Sequence, residues 1–382
     1  MKAMQIFSNA DIVTHDDRFR GYVVVENGLI SEVGAGSAPE KGHDLGGDYL
    51  LPGLIEIHTD HLEAHVMPRP KVEWNPASAV LAYDAQIAAS GITTVFDSLR
   101  IGIDEHEIKA GVSARVAEFA GLIAEAAAAG HLRCDHLTHI RCEVPARDVV
   151  DELARFLERF PVQLISLMDH TPGQRQFRDL GKYFTYYGGK TGKSDADVRE
   201  VVERRQNTGA ARAGQNRPLI VAMAAEHGIR LASHDDTTLD EVALSQRDGV
   251  SVAEFPTTLE AAQASQAAGM ATVMGAPNVV RGGSHSGNVA ARELADANCL
   301  DMLSSDYVPA SLLLGAFQLA DSPGIGGLPG AIRLVTANPA RALGLDDRGM
   351  IAVGKRADLI RVTGSAAAPV VRTVWRAGER VA

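Results

Sequence analysis

Between residues 51 and 345 the chain alternates short, almost wholly apolar runs with longer stretches whose apolar residues recur at helical spacing. Parallel strands buried on both faces read as such runs, and their alternation with helices is the βαβ pattern of a parallel sheet. The runs are LPGLIEIHTD (51–60), GITTVFDS (91–98), HLTHIRCEV (136–144), VQLISLMDH (162–170), IRLASHDD (229–236), VSVAEFP (250–256), ATVMGAPN (271–278) and DMLSSDY (301–307). About eight such units close an α/β barrel of the TIM-like (β/α)8 type. Helices are expected over 78–90, 105–129, 148–159, 216–227 and 257–268, and Gly130, Gly228 and Gly269 supply stop signals after three of them. The stretch 171–215, rich in Lys, Arg, Tyr and Gly, reads as a functional insertion over the barrel mouth.

The two ends are patterned differently. MQIFSNADIVT and GYVVVENGLISEVG near the start, and GMIAVGKRADLIRVTG and APVVRTVWRAGERV near the end, are short β-rich pieces, with Asn27-Gly28 marking a hairpin turn. Neither end has enough strands to close a core alone. They are expected to pair into one small discontinuous β-sandwich, dividing the chain into 1–50, 51–345 and 346–382.

Composition narrows the class. With 382 residues, 46% of them hydrophobic, the chain can bury a large core, and that apolar fraction permits a homodimer. A net charge of −11 argues against a general nucleic-acid surface, so an anionic ligand has to be met by a local cluster of cations. Cys134, Cys142 and Cys299 are too few and too irregular for a disulfide framework. No run reaches the ~18 apolar residues of a membrane span, and a cytoplasmic location is expected.

Candidate chemistry lies where the apolar runs end. His58, Asp60, Glu143, His170, His234 and Asp306 each close or follow such a run, which is where barrel enzymes carry their catalytic groups. Residues i and i+2 of a strand share a face, so His58 and Asp60 can both point inward. Taken alone, His58 reads by default as a core histidine and Asp60 as a turn residue or helix cap. The recurrence of similar groups at the other strand ends favours a metal centre, with imidazole nitrogens as ligands. Glu143 can bridge two cations or pair with Arg141. Asp306 can touch metal and take a proton from bound water, or cap the helix that follows. Asp235 and Asp236 read as supporting or capping groups. Two divalent ions per chain are expected; a carboxylate in the His58-Thr59-Asp60 motif makes Mn or Fe as suitable as Zn.

The whole chain, from PGLIEIH to GKRADLI (354–360), resembles the amidohydrolase superfamily. HTDHLEAHVMPRPKVEW (58–74), SLMDHTPGQRQF (166–177), ASHDD (232–236), MGAPNVVRGGSHSGN (274–288) and LSSDYVPASLL (303–313) resemble its phosphonate-metabolism branch. That resemblance implies hydrolysis of alpha-D-ribose 1-methylphosphonate 5-triphosphate to the 5-phosphate and pyrophosphate. It also implies that Glu143 stands where many members bridge their metals with a carboxylated lysine. A cyclic amidase or deaminase activity is the alternative within the superfamily. A triphosphate needs cations and hydrogen-bond donors, for which Arg141, Arg175, Lys190 and Arg281 are candidates, with Ser284, His285 and Ser286 in a GGSHSG loop ahead of a helix.

Overall fold

A computed structural model describes residues 4–102, 115–173, 175, 180–181, 184, 194–284, 287–365 and 367–382. Eight strands come from the two ends of the chain: β1 (Gln5–Val13), β2 (Arg18–Glu26), β3 (Leu29–Ala35), β4 (His43–Asp44) and β5 (Tyr49–Pro52) precede the barrel, and β14 (Leu359–Ser365), β15 (Ala368–Arg376) and β16 (Glu379–Arg380) follow it. They form one sheet in the order β16-β15-β14-β5-β1-β2-β3, with β4 beside β1. The seam between the termini is the antiparallel pair β14–β5, with Leu359 opposite Pro52. Asn27 and Gly28 turn the β2–β3 hairpin at φ 53° and 85°, the left-handed pair that a two-residue turn requires. Phe7, Ile12, Val23, Ile30, Leu50 and Trp375 form the core of this unit.

The barrel strands are β6 (Leu54–Thr59), β7 (Ile92–Ile101), β8 (Asp135–Glu143), β9 (Leu164–Met168), β10 (Arg230–His234), β11 (Val252–Glu254), β12 (Ala271–Gly275) and β13 (Met302–Ser304). They pair in sequence order, all parallel. Closure comes from a parallel bridge between Thr59 and Asp306, reinforced by the Thr59 hydroxyl donating to the Asp306 carbonyl at 2.6 Å. Glu56 laces the same seam. Its fully buried carboxyl accepts from the backbone N–H of His58 at 2.7 Å and of Ser305 at 2.5 Å, and burial pushes it up to about 8. Glu56→Ala leaves two buried donors without acceptors, at roughly 1–3 kcal/mol each. Urea unfolding should show a loss of about 2–6 kcal/mol; a change within experimental error would mean that the seam does not depend on this side chain.

Strand alternation decides what faces the centre. Leu164, Ala232, Val252 and Met302 share one apolar cluster with Ile57 and Phe96. Two residues further along, Ser166, His234, Glu254 and Ser304 stand on the same faces. A polar layer therefore sits directly above an apolar plug, towards the carboxyl ends of the strands.

Helices fall near the expected places, at Pro76–Ala89, Val116–Ala128, Val149–Leu157 and Leu259–Ala267. Residues 103–114, the first half of the expected 105–129 helix, lie outside the described residues. The larger difference concerns 171–215. Instead of a loop-like insertion ending before a helix at 216, one helix runs from Asp195 to Glu226, opened by a capping box between Ser194 and Asp197. Its polar composition concealed it, because a helix that covers a barrel rim has no continuous apolar stripe. No helix of the described residues is long and apolar enough to cross a membrane.

Candidate metal centre

The rim brings together the imidazoles of three strands. His58, at the end of β6 and 2% exposed, stacks on His234 at the tip of β10 with ring centroids 5.5 Å apart and planes 23° apart. His170, just past β9, lies edge-on to His234 at 5.5 Å. Burial pushes the His58 imidazole down, keeping it a neutral nitrogen donor, although Glu254 pulls the other way. At His234 burial also opposes the charge, but the neighbouring Asp235 and Glu254 carboxylates outweigh it and raise the group.

The carboxylates divide into different tasks. Glu143 accepts from the His170 backbone N–H with Oε1 at 2.9 Å and faces His170 Nδ1 with Oε2 at 2.6 Å, while Arg100 reaches Oε2 at 3.1 Å. Burial opposes its ionisation, yet His170 and Arg100 hold it well below the usual carboxylate range. Both of its oxygens are therefore turned to His170 and Arg100. Its cationic partner is Arg100 rather than Arg141, which instead lies 3.4 Å from Asp60 Oδ2 and against Met168 Sδ. Asp306 adopts φ 53°, with its N–H directed at the His58 carbonyl at 3.2 Å. It caps no helix, since the N-cap of the following helix, Ser311–Leu319, is Ala310. Burial, helped by the charge of Asp60, raises Asp306 to about 7.

Asp235 is a residue that sequence reasoning undervalued. It is 4% exposed in a left-handed conformation at φ 57°, and its Oδ2 is buried without a hydrogen-bond partner, 3.5 Å from His234 Nε2. Ligand atoms of His170, His234 and Asp235 all lie within 4.8 Å of one another. Two imidazole nitrogens and an orphaned carboxylate oxygen suit a divalent ion, which satisfies the otherwise costly buried oxygen. The residues present thus fit a metal.

A second group, His58, His139 and Glu254, is equally close but differently occupied. His139 Nδ1 is 3.0 Å from the Ile57 carbonyl and its Nε2 is 2.5 Å from the Ser166 hydroxyl. Burial drives this imidazole down to about 3. The His139 nitrogens are taken up by hydrogen bonds beneath the rim. Neither His139 nor Glu254 was singled out from sequence; the available signal was a lone polar residue two positions beyond an inward apolar one.

The candidate phosphate-binding residues scatter more. Arg175, at φ 49° and 6% exposed, donates from Nη1 to Asp236 Oδ1 at 2.6 Å and to the His234 carbonyl at 2.9 Å, so its charge braces the wall behind His234. Arg281 ends the helix Ala276–Arg281 and is exposed. Ser284 follows in a loop whose next helix, Ala291–Asp296, has 6 residues. Lys190, His285 and Ser286 lie outside the described residues. Sequence reasoning missed a small cleft that opens from Glu143 and His170 and is lined by Thr171, Arg205, Thr208 and Arg212, the last three from the long helix.

An Escherichia coli protein, alpha-D-ribose 1-methylphosphonate 5-triphosphate diphosphatase, is 45% identical over 98% of this chain and 100% of its own length. Residues 218–381 match the amidohydrolase family pattern. The chain belongs to the amidohydrolase family. Within it, this amidohydrolase stands in the branch of the Escherichia coli diphosphatase, at an identity far above the 26% shared with an imidazolonepropionase of Deinococcus radiodurans over 90% of this chain and 85% of that one. Solved structures share the fold. N-isopropylammelide isopropylaminohydrolase of Burkholderia multivorans superposes with a TM-score of 0.68 at 16% identity, covering 99% of this chain and 98% of that one. N-acetyl-D-glucosamine-6-phosphate deacetylase of Mycobacterium smegmatis gives 0.63 at 16% identity with 100% of both chains covered.

Proposed function

We propose that this chain is a metal-dependent diphosphatase that cleaves alpha-D-ribose 1-methylphosphonate 5-triphosphate to the 5-phosphate and pyrophosphate. The observation that supports the reading is full-length identity of 45% to a diphosphatase of that name, in a chain whose rim brings His58, His170, His234 and Asp235 together. The catalytic unit is residues 51–345, with 1–50 and 346–382 as its supporting sheet. His170, His234 and Asp235 hold one divalent cation; His58, Asp60 and Asp306 provide for a second, and Zn, Mn and Fe all suit the donors. When bound, such ions supply a Lewis acid and ease the ionisation of water.

The chain's own residues then divide the work. Asp306, raised to about 7, orients the attacking water and takes its proton at a carboxylate oxygen. Arg141, beside Asp60, faces charge that develops on the ribose-linked phosphoryl group. Arg205, Thr208 and Arg212 hold the leaving pyrophosphate in the cleft beside His170. The three free, buried cysteines accord with a cytosolic setting.

Offering the ribosyl phosphonate triphosphate and nucleoside triphosphates side by side, and following pyrophosphate, tests the assignment. Strong preference for the former is expected; equal turnover removes the substrate class, and turnover only of cyclic amides removes the phosphoanhydride chemistry. Arg205→Ala and Arg212→Ala should each raise KM by about tenfold with a smaller change in kcat, the value of one charge-assisted hydrogen bond of roughly 1.5 kcal/mol. Unchanged KM in both variants would place the pyrophosphate elsewhere.

A further inference from the structure

Two rim imidazoles lie on strands far apart in sequence, yet one carboxylate meets both. Glu254 ends β11 completely buried, with Oε1 2.9 Å from His58 Nδ1 and Oε2 3.2 Å from His234 Nδ1. The Ser166 hydroxyl donates to Oε2 at 2.6 Å. A carboxylate only accepts, so each imidazole has to present an N–H from Nδ1. A neutral imidazole has one N–H, and Nε2 is then left with its lone pair.

The next residue completes the grip. In a regular strand Glu254 and Phe255 would face opposite sides, but Phe255 adopts φ 55°, which brings its ring to the same pair of histidines. It stands edge-on to His58 at 4.9 Å and 83°, and to His234 at 5.3 Å and 86°. The backbone adds a further tie, because the Asp235 N–H donates to the Glu254 carbonyl at 2.9 Å. Ring plane and ring edge are therefore both set from residues 254 and 255.

We propose that Glu254 is a positioning residue that fixes the tautomer of His58 and His234 together, leaving both Nε2 lone pairs open to divalent cations. The inference rests on the metal-centre reading above. Two equivalent acceptor oxygens are what the arrangement needs, which explains an acidic residue in the otherwise apolar run VSVAEFP. A glutamine carries one acceptor and one donor, so it can satisfy one Nδ1–H only. The other imidazole meets an amide N–H, accepts it at Nδ1 and moves its own proton to Nε2, closing that nitrogen to a metal.

Long-range proton–nitrogen correlation spectra of the metal-free full chain, recorded at a pH high enough to leave His234 neutral against the pull of its neighbouring carboxylates, read the tautomers directly, with signals assigned through His58→Gln and His234→Gln. Both histidines are expected in the Nδ1–H form, and Glu254→Gln should convert one of them to Nε2–H. Manganese titration should show affinity falling 10–100-fold in Glu254→Gln, the usual effect of losing a ligand-orienting partner. Either histidine in the Nε2–H form in the unmodified chain overturns the proposal, whether or not the variant folds. Unchanged affinity in Glu254→Gln, where the unmodified chain binds manganese, also overturns it and leaves the metal centre standing. An unmodified chain that binds no metal defeats the centre itself.

Discussion

Chelating the divalent ions out of the purified protein abolishes pyrophosphate release, by at least about 10³-fold, and adding back Mn, Zn or Fe restores it. The size follows from what the remaining groups can do alone. Water ionises with a pKa of about 15.7, and metal coordination brings it to about 7, a gain that no side chain at this rim replaces. Asp306 ties that loss to pH. Burial and Asp60 raise it from 3.8 to about 7, so the metal-free fold holds a proton there that the unfolded chain has released. The stabilising contribution of that proton is complete below 3.8 and disappears as pH rises through 7. A cation requires the ionised carboxylate, so metal affinity rises over the same interval. Thermal unfolding of stripped and reloaded protein from pH 5 to 8 should show the stabilisation by metal growing with pH. Full activity in protein shown to be free of metal would contradict the scheme.

Asp306→Asn is the second large effect. The amide keeps the shape of the side chain but cannot take a proton, and general-base catalysis is worth about 10²–10⁴ in rate. We expect kcat to fall by about 10³ with KM changed only a few-fold, because Arg141, Arg205 and Arg212, which we propose face the triphosphate, lie on other elements. The position is already strained towards this use: a non-glycine residue at φ 53° is maintained by the Thr59 hydroxyl on its carbonyl and the His58 carbonyl facing its N–H. A raised KM with kcat intact would make Asp306 a binding group and leave the base unassigned.

Much of the architecture could be read from the amino-acid order because the barrel strands are buried on both faces. Runs such as VQLISLMDH and IRLASHDD cannot be mistaken for surface segments, and their ends point to the rim where His170 and His234 are found. The helix Asp195–Glu226 was not legible, since its contacts are with the barrel mouth and its polarity matches that of a loop. Charged residues carry little positional information in the sequence. Arg175 reads as a phosphate ligand by type and lies paired with Asp236, whereas Arg205 and Arg212 line the cleft on a helix that the sequence pattern does not reveal.

Glu254 and Asp235 show a further limit of one-dimensional reading. Glu254 sits inside an apolar run instead of at its end, and only the fold reveals that the space inward of it is filled by two imidazoles. Asp235 stands beside His234, where strand alternation would turn it away; its left-handed backbone turns it back to the site. Local conformations of this kind carry no sequence periodicity, and Asp235, Phe255 and Asp306 adopt them at the rim.

The central claim is that His170, His234, Asp235 and Asp306, with His58 and Asp60 beside them, surround divalent ions at the carboxyl ends of the strands. Anomalous diffraction from crystals grown with manganese measures this most directly. Peaks are expected within bonding distance of the imidazole Nε2 of His234 and the carboxylate oxygen of Asp235. Manganese located only at other surfaces, in crystals of protein that still releases pyrophosphate, would contradict it.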